Sequence, residues 1–426
     1  MVNELVDLRY LSRTYPQLQA VMSRVNVDAL KEEHRKQERN KACGVDGITK
    51  DEYGEELDAN LADLIKRMKA FSYKPLPVRR TYIPKVTGGI RPLGIPSYED
   101  KLVQGAMAGI LTEIYEERFF DNSFGYRPKR SAHDAIRYVT RTLMSKKVGY
   151  VLEADIKGFF DNVDHTWLMK FLERDIADPN FLRYIKRFLI AGVMDGTERE
   201  ASDKGTPQGG LISPVLANVY LHYALDWWVE KWLKKQLKGE VHYVRYADDF
   251  ILMFQYENEA VDTLGSLRVR LGKFGLQVAE EKTRILPMGR FKGTKEDFDF
   301  LGFTFFNAKT KAGKYRVGVR TSKKKLKSKK QAAKIWLRER LTKPIAETMK
   351  GIARALTGHC NYYGVSGNSK SVANFWHYVQ VTCYRMLNRR DQKGKLKSEA
   401  FYRIWKHYVG NPRITVDIWS WKPTLT

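Results

Sequence analysis

Three aspartates occupy positions at which metal-dependent chemistry could take place. Asp155 ends an apolar run typical of a buried strand, and Asp248 and Asp249 separate two further strand-like runs, residues 241–246 and 250–254. If these strands are neighbours in one sheet, the three carboxylates converge. Hard cations such as Mg²⁺ prefer oxygen ligands, and two such cations catalyse phosphoryl transfer by activating the attacking oxygen and holding the leaving group. An Asp-Asp pair is also good turn chemistry, so the pair alone leaves both interpretations open.

The charge of the chain indicates a polyanionic partner. Its 426 residues include 75 Lys and Arg against 49 Asp and Glu, which gives a formal net charge of +26. So large an excess repels itself in a compact protein, and nucleic acid is the leading candidate for neutralising it. A membrane surface is the rival partner. No stretch of ~18 apolar residues exists to span a membrane, and we expect no membrane association.

The cysteines argue against zinc and disulfides. Cys43, Cys360 and Cys383 are far apart and form no CxxC pair, so neither a zinc site nor a disulfide framework is expected. His359 beside Cys360 lacks a second ligand pair nearby in sequence. The N-terminus has no basic start followed by an apolar core, so it does not resemble a signal peptide. We therefore expect an intracellular, cytoplasmic protein.

Hydrophobic patterning predicts an α+β protein of two or three domains. Residues 1–75 have a helical, charged pattern, residues 79–96 form a predicted hairpin around a Gly-Gly turn, and helical patterning resumes over 99–119. Short apolar strands then alternate with longer helices. Residues 321–340 carry nine Lys or Arg and a single carboxylate. Three apolar residues recur there at helical spacing and predict a basic amphipathic helix with one face on a core: Leu326, Ala333 and Leu337.

Five ordered sequence blocks resemble the reverse transcriptases of bacterial group II introns. The segment Tyr246-Ala247-Asp248-Asp249 is similar to the signature of reverse transcriptases. The other blocks match further motifs of the family in the expected order: residues 124–128, 155–165, 205–214 and 300–303. The resemblance covers most of the chain, from about residue 41 onward. It implies a right-hand polymerase with fingers, a palm built on an antiparallel sheet, and a helical thumb.

The resemblance also implies a domain division. We expect an N-terminal helical extension over residues 1–50, fingers and palm over 51–315, and a thumb with a basic maturase region over 316–426. Many family members continue with a metal-dependent nuclease, but this sequence has no His- and Cys-rich tail. No endonuclease domain is therefore expected, and priming would come from elsewhere, such as nascent strands at a replication fork.

The family's functional residues map onto matching positions. Asp155, Asp248 and Asp249 would be catalytic and would bind two Mg²⁺ ions, which Mn²⁺ could replace, with the backbone carbonyl of Ile156 as a further ligand. The positions expected to contact the incoming nucleotide are Lys85, Arg91, Gly158, Phe159, Phe160 and Gln208. Arg offers a fork to phosphate and Lys a point charge. From the sequence alone, an ordinary exposed basic hairpin is the favoured interpretation of Lys85 and Arg91.

Phe160 bears on the choice of sugar. The family places an aromatic ring beneath the sugar at this position, where it would collide with a 2′-hydroxyl and favour deoxynucleotides. Phe159 and Phe160 could instead both be core residues. Leu301, Gly302 and Phe303 resemble the primer grip, a turn that positions the primer end. A buried strand end is the alternative there.

The C-terminal region resembles the maturase region of group II intron proteins over residues 351–364 and 387–390. Its basic and aromatic composition suits RNA. The cations expected to contact RNA are Lys323, Lys324, Lys325, Lys327, Lys329, Lys330, Arg389 and Arg390. Three aromatic residues could stack on bases or could equally be packing residues of the helices: Tyr362, Tyr363 and Trp376.

These features together indicate an RNA-directed DNA polymerase that extends a DNA primer with dNTPs on structured RNA, with group II intron RNA as the expected template. It would also bind intron RNA as a splicing maturase. Two alternatives remain open: a domesticated enzyme of the same type in defence or repair, without a splicing role, and an RNA-binding splicing factor whose polymerase domain is inactive. Intact aspartates argue against the second. A ribonucleotide polymerase is a further alternative, opposed by Phe160. The sequence does not indicate an oligomeric state.

Overall fold

The computed structural model describes residues 7–84, 89–196, 198–200, 204–206, 209–389 and 396–419, and within them helices dominate. Several helix starts are encoded locally, because a side chain accepts a hydrogen bond from the first turn: Ser97 caps the fifth helix and Ser322 the twelfth. A turn of π-helical backbone continues the ninth helix over residues 222–233. The helices are α1 Leu8–Thr14, α2 Val27–Lys36, α3 Lys50–Glu55, α4 Leu57–Lys69, α5 Tyr98–Glu116, α6 Ala132–Ser145, α7 His165–Asp175, α8 Pro179–Ile190, α9 Ser213–Leu221, α10 Lys234–Gln236, α11 Glu257–Lys273, α12 Lys323–Arg338, α13 Ile345–Tyr363, α14 Ser369–Leu387 and α15 Ser398–Tyr408.

The strands of the described residues form three sheets. They are β1 Val78–Pro84, β2 Ile90–Ile95, β3 Tyr150–Ala154, β4 Val193–Asp195, β5 Glu198–Glu200, β6 Val241–Tyr246, β7 Asp249–Phe254, β8 Arg284–Pro287, β9 Asp297–Phe300, β10 Phe303–Lys309 and β11 Tyr315–Thr321. The central sheet has the order β6-β7-β3-β8 and is antiparallel throughout. The hairpin sheet has the order β2-β1-β4-β5, and the three-stranded sheet has the order β11-β10-β9.

The central sheet is buried on both faces, which explains why its strands have uninterrupted apolar sequences. In β7, Phe250 and Leu252 point into one hydrophobic core, with α5, α9 and α11. Ile251 and Met253 alternate with them and point into a second core, shared with α6, the three-stranded sheet and α13 to α15. We call the helices α12 to α15 the C-terminal bundle. One sheet therefore joins the N-terminal helices to the C-terminal bundle.

A fully buried ion pair anchors β6 to the helix beside it. The Arg245 guanidinium donates from Nε to Asp226 Oδ1 at 2.7 Å and from Nη2 to Asp226 Oδ2 at 2.5 Å. Tyr243 donates its hydroxyl to the same carboxylate at 2.7 Å. The remaining guanidinium nitrogen, Nη1, donates to Asn218 Oδ1 at 2.8 Å and to the carbonyl oxygen of Ala247 at 2.9 Å. A charge removed from water in this way is tolerated because it is paired and its donors are bonded.

The structure confirms most of the elements that the sequence predicted. Strands β1 and β2 form the expected hairpin, and α12 is the expected amphipathic helix, with Leu337 buried in the second core and Leu326 and Ala333 packed against it. Cys43, Cys360 and Cys383 all lie in the described part of the chain, and none of them forms a disulfide there. No helix of the described ranges is long and apolar enough to cross a membrane. Strand β11 runs across residues 315–316, where the sequence placed a domain boundary; the three-part division stays a prediction.

The Arg245–Asp226 pair gives a stability prediction. Asp226→Ala leaves a guanidinium buried without its counter-ion, and such losses cost roughly 3–5 kcal/mol. Urea denaturation followed by circular dichroism should show a markedly lower midpoint. Glu280→Ala removes the partner of Arg268 in an exposed pair, whose side chains are 48% and 61% accessible, and should change the midpoint little. Equal effects of the two substitutions would contradict the importance of the buried pair.

Candidate active site

A two-residue turn carries two of the predicted catalytic aspartates. Tyr246 at the end of β6 pairs with Asp249 at the start of β7, which leaves Ala247 and Asp248 as the turn. Ala247 has φ +56°, in the left-handed region that non-glycine residues rarely adopt. The bond from Arg245 to the Ala247 carbonyl holds this conformation from below.

Gly125 explains why the block at residues 124–128 accompanies the aspartates. A Cβ atom at Gly125 would lie 2.3 Å from the Ala247 nitrogen, so only glycine fits against the turn. Asn218 donates to the Gly125 carbonyl at 2.7 Å. Phe124 donates its backbone N–H to the Arg245 carbonyl at 2.9 Å, which aligns this segment along the edge of β6. The segment therefore supports the turn from the side.

The third predicted aspartate lies beside the turn. Ala154 pairs with Phe250, so Asp155, the next residue, is adjacent to Asp249. Asp249 keeps an exposed face; crowding by the protein around its carboxyl, then repulsion from Asp248 and Asp155, raises the pKa of Asp249 to about 7. Removal from water, followed by the charge of Asp155, also raises the pKa of Asp248. The structure thus brings the three carboxylates into one repelling cluster, as the sequence predicted.

Lys282 is a member of the site that the sequence analysis missed. Its ammonium donates a hydrogen bond to Asp155 Oδ2, which raises the pKa of Lys282. Lys282 lies in a short helical turn two residues before β8, and β8 pairs with β3. Only the strand order brings the two residues together. A lysine just before an apolar strand is too common a pattern to indicate this contact.

The cluster suits a divalent cation but is not preassembled around one. Among the residues that the structure describes, no three His, Cys, Asp or Glu side chains stand in a metal-binding arrangement. Asp155 is bonded to Lys282 instead. Even so, three carboxylates that repel one another supply the hard oxygen donors that Mg²⁺ takes, and a cation would relieve the repulsion. The assignment of Asp155, Asp248, Asp249 and the Ile156 carbonyl as ligands stays a prediction.

The predicted nucleotide-binding residues divide into three groups. Arg91 lies on β2. Burial raises the pKa of Asp248, and the charge of Arg91 partly opposes this shift, so Arg91 is close enough to interact electrostatically with the cluster. Lys85 and Gln208 lie outside the described residues. Gly158, with φ +54°, starts the short helical turn that carries Phe159 and Phe160.

The two adjacent phenylalanines have different environments. Phe159 is 2% exposed and packs against Tyr220 in the first core. Phe160 is half-buried and lines a cavity between the hairpin sheet and residues 204–206. The sequence could not decide whether either ring was a core residue; the structure makes Phe159 one and leaves Phe160 facing the cavity. The part of Phe159 expected to meet a nucleotide is its backbone, and this role stays a prediction.

Backbone contacts set the width of this cavity. Thr206 donates its N–H to the Phe160 carbonyl at 2.8 Å, and Gly205 donates to the Val163 carbonyl at 2.7 Å. On the opposite wall, a Cβ atom at Gly209 would lie 2.5 Å from the Gly94 carbonyl oxygen. The glycine-containing loop therefore packs tightly against β2 of the hairpin sheet.

The predicted primer grip is a tight turn braced by the C-terminal bundle. Leu301 and Gly302, with φ +51° and +77°, connect β9 to β10. Tyr362 donates its hydroxyl to the Leu301 carbonyl at 2.9 Å, and its ring centroid lies 5.7 Å from that of Phe303. A Cβ atom at Gly302 would lie 2.9 Å from the hydroxyl of Tyr363. Of the two interpretations given above for the tyrosines, packing is the one observed.

Tyr362 also interacts with one of the aspartates. The charge of Asp249 contributes to the raised pKa of Tyr362, whose main cause is burial. Trp376 is buried in the second core. Tyr362 thus contacts the turn at Leu301 and is close enough to Asp249 for the two groups to interact electrostatically; the function of the turn as a primer grip stays a prediction.

The predicted RNA-binding cations of α12 are of two kinds. Exposed lysines form the N-terminal part of the helix: Lys323, Lys324, Lys325 and Lys327. Lys329 instead lies over the Tyr363 ring, 5.2 Å from its centroid, and Lys330 donates to Asn374 at 2.5 Å. Arg389 is exposed, and Arg390 lies outside the described residues. The binding of RNA by these residues stays a prediction.

The carboxylate cluster predicts a pH-dependent stability. The folded protein binds the Asp249 proton more tightly than the unfolded chain does. Near pH ~4 this carboxyl therefore does not lower the free energy of unfolding. As the pH rises toward the folded pKa of about 7, it lowers that free energy progressively more. In a chelating buffer, Asp249→Asn should raise the melting temperature by a few degrees at neutral pH and hardly at all at acid pH. Solvent screening keeps the effect small.

Two controls accompany this measurement. Asp262→Asn, on the exposed face of α11, should give a difference from the unsubstituted protein that does not vary with pH. Added Mg²⁺ should remove the advantage of Asp249→Asn, because a cation stabilises the carboxylates. A gain that is the same at every pH would show that repulsion is not its cause.

Comparison with known proteins identifies the family. Residues 83–305 match the family described as "Reverse transcriptase (RNA-dependent DNA polymerase)". Protein YkfC of Escherichia coli (strain K12) is 34% identical over 314 residues, which cover 64% of this chain and 78% of that protein. The group II intron-encoded protein LtrA of Lactococcus lactis subsp. cremoris is 27% identical over 442 residues, covering 84% of this chain and 72% of the relative.

A plant protein shares a shorter region. "Nuclear intron maturase 2, mitochondrial" of Arabidopsis thaliana is 30% identical over 111 residues, which cover 26% of this chain and 15% of that protein. The family match begins at the end of β1 and includes β2 and the carboxylate cluster, and the similarity to LtrA covers most of the chain. The chain therefore belongs to the reverse transcriptases, the RNA-directed DNA polymerases, in the group that includes group II intron-encoded reverse transcriptases and maturases.

Proposed function

We propose that this reverse transcriptase copies structured RNA into DNA by two-metal phosphoryl transfer at Asp155, Asp248 and Asp249, with Mg²⁺ as the cation. The observation that carries the proposal is the carboxylate cluster itself, whose members repel one another; Phe160, five residues beyond Asp155, lines a separate cavity under the hairpin sheet. Repulsion among fixed carboxylates is costly unless cations are bound. Membership of the family implies dependence on divalent metal; the choice of Mg²⁺ rests on the hardness of the oxygen donors.

The architecture is consistent with a right hand. In this proposal the N-terminal helices and the hairpin sheet are the fingers, the central sheet with its helices is the palm, and the three-stranded sheet with the C-terminal bundle is the thumb. Arg91 on the hairpin lies near Asp248, which puts a cation from the proposed fingers over the proposed palm. The basic helix α12 begins directly after β11, beside the site.

Each side chain would have a distinct part in the reaction. Bound cations would activate the primer hydroxyl and neutralise the charge of the leaving pyrophosphate. The three aspartates would hold them, so Lys282 must give up its bond to Asp155. Arg91 would bind the triphosphate as a fork. The turn at Leu301 and Gly302 would support the primer end.

Splicing assistance is the second part of the proposal. Exposed lysines at the start of α12 offer phosphate contacts without any carboxylate in the helix, and the similarity to proteins named for introns and maturases favours group II intron RNA as the ligand. Cytoplasmic location and intron RNA as partner belong to the same proposal. A domesticated polymerase without a splicing role would share the site but not require an intron RNA.

Asp248→Asn should abolish primer extension on poly(rA)/oligo(dT) with dTTP and Mg²⁺, because a metal-binding carboxylate is lost. RNA binding should remain largely unchanged, because the basic surface is intact. Extension assays and filter binding on the same preparation measure the two activities. Asp262→Asn is the matched control and should affect neither. Parallel loss of extension and RNA binding would mean that Asp248 is structural, and no extension by the folded unsubstituted protein would refute the polymerase proposal.

Phe160→Ala should increase incorporation of ribonucleotides relative to deoxynucleotides, because the ring that would meet the 2′-hydroxyl is gone. Single-nucleotide incorporation kinetics with dTTP and UTP measure the ratio. Phe159→Ala is the informative comparison: its buried ring predicts a loss of stability of about 3–5 kcal/mol without a change in sugar choice. Unchanged selectivity in Phe160→Ala would assign the discrimination to another residue.

A further inference from the structure

The C-terminal bundle contains a cleft that the polymerase site does not use. It lies where α12, α13 and α14 meet and has a volume of about 310 Å³. Its walls are mainly apolar, and two aromatic rings and one imidazole contribute to them. The residues that define it are Lys329, Trp336, Ile352, His359, Phe375 and Val379.

His359 is an unusual group to find in such a wall. It is 2% exposed, and within the described part of the chain neither ring nitrogen has a hydrogen-bond partner. Burial lowers the pKa of His359 to about 4, so the ring is neutral at physiological pH. A neutral imidazole has one N–H donor and one acceptor, and leaving such groups unsatisfied destabilises a protein. The cleft therefore contains an unused donor and acceptor.

The rings of the cleft are held in fixed positions. The imidazole centroid lies 4.9 Å from that of Tyr363 and 4.3 Å from that of Phe375. The Trp336 indole lies against Gly351, where a Cβ atom would be 2.7 Å from the ring. Flat, immobile rings favour a flat ligand, because stacking requires parallel faces.

The positive charge around the cleft favours a flat ligand that carries phosphate groups. Lys329 lines the cleft, and α12 as a whole carries seven lysines, one arginine and no carboxylate within Lys323–Arg338. Exposed lysines lie a few residues before Lys329 on the same helix. Such a surface attracts the phosphates of a nucleic acid and disfavours a basic protein segment as the occupant.

We propose that the cleft accepts an unpaired nucleobase of bound RNA, which lies against Trp336 and Phe375 and hydrogen-bonds to His359. The sugar-phosphate chain on either side would follow the lysines of α12. A base must be unstacked to enter, so the recognised feature is a loop or bulge, the part of RNA that proteins read by stacking. The inference rests on the RNA binding proposed above for this region and gives that binding a specific contact.

Two substitutions test the cleft with the full chain. His359→Phe keeps the stacking but removes both ring nitrogens; it should preserve or raise the melting temperature while it weakens RNA binding. Ala355→Trp fills the mouth of the cleft from an exposed wall position. Ala355→Trp should weaken binding of a short RNA hairpin by about fivefold to tenfold, the effect of losing one stacked base. His359→Phe should weaken it by about threefold to tenfold, the effect of losing the hydrogen bonds to the base.

Matched controls lie on the same helices outside the cleft. His377→Phe on α14 and Thr357→Trp on α13 make the same chemical changes at exposed positions and should leave the affinity unchanged. The salt dependence adds a second readout. Cleft variants should keep the slope of log affinity against log salt, whereas Lys327→Ala should lower it by about 1.

Photo-crosslinking locates the base. Hairpins carrying thiouridine at successive loop positions should crosslink at one position to peptides of α12, α13 or α14 that line the cleft, and both cleft variants should lose that crosslink. Crosslinks confined to other surfaces, or unaltered affinity in both variants, would overturn the proposal. A changed oligomeric state with normal RNA affinity would assign the cleft to a second copy of the chain instead.

The proposed polymerase function is tested separately. If the unsubstituted protein extends primers and binds the hairpin, but neither cleft variant differs from it, only the cleft proposal fails. If the unsubstituted protein binds no RNA, the proposed RNA-binding function fails, and the cleft proposal fails with it.

Discussion

The buried guanidinium of Arg245 is the constraint on which the active site depends. A charge with no exposure must be paired, and here Asp226, Asn218 and the Ala247 carbonyl accept four hydrogen bonds from the guanidinium. These bonds fix the backbone of the turn that carries Asp248. Aspartates that repel one another cannot hold this geometry by themselves. Interactions behind the turn, including the close contact of Gly125, supply the rigidity that the carboxylates lack.

The sequence was informative where a single element determines position. Apolar strands that end in Asp155 and flank Asp248 predicted that the carboxylates converge if the strands are neighbours, and the pairing of β3 with β7 meets that condition. It was uninformative where position arises from the order of strands. Lys282 meets Asp155 only because β8 pairs with β3. Phe159 and Phe160 have the same residue type and neighbouring positions, and only the helical turn that begins at Gly158 directs one ring inward.

The C-terminal bundle is coupled to the site through two tyrosines. Tyr362 is bonded to the turn at Leu301, and its pKa responds to Asp249. The sequence left open whether these aromatic residues stack on bases or pack between helices, since both uses favour the same residue types. Their position makes the bundle a wall of the site. The RNA contacts proposed for the bundle and the chemistry proposed for the aspartates would thus be linked through Tyr362 and the turn at Leu301.

The two-sided burial of the central sheet has a consequence for modularity. Strand β7 contributes alternate residues to two cores, so both halves of the molecule pack against the same sheet. A fragment ending before β9 would expose to water the face of the central sheet that contains Ile251 and Met253. An isolated C-terminal bundle would lose the sheet face against which it packs. Recombination that exchanges whole C-terminal regions must therefore preserve the side chains of one sheet face, whereas surface loops remain open to insertion.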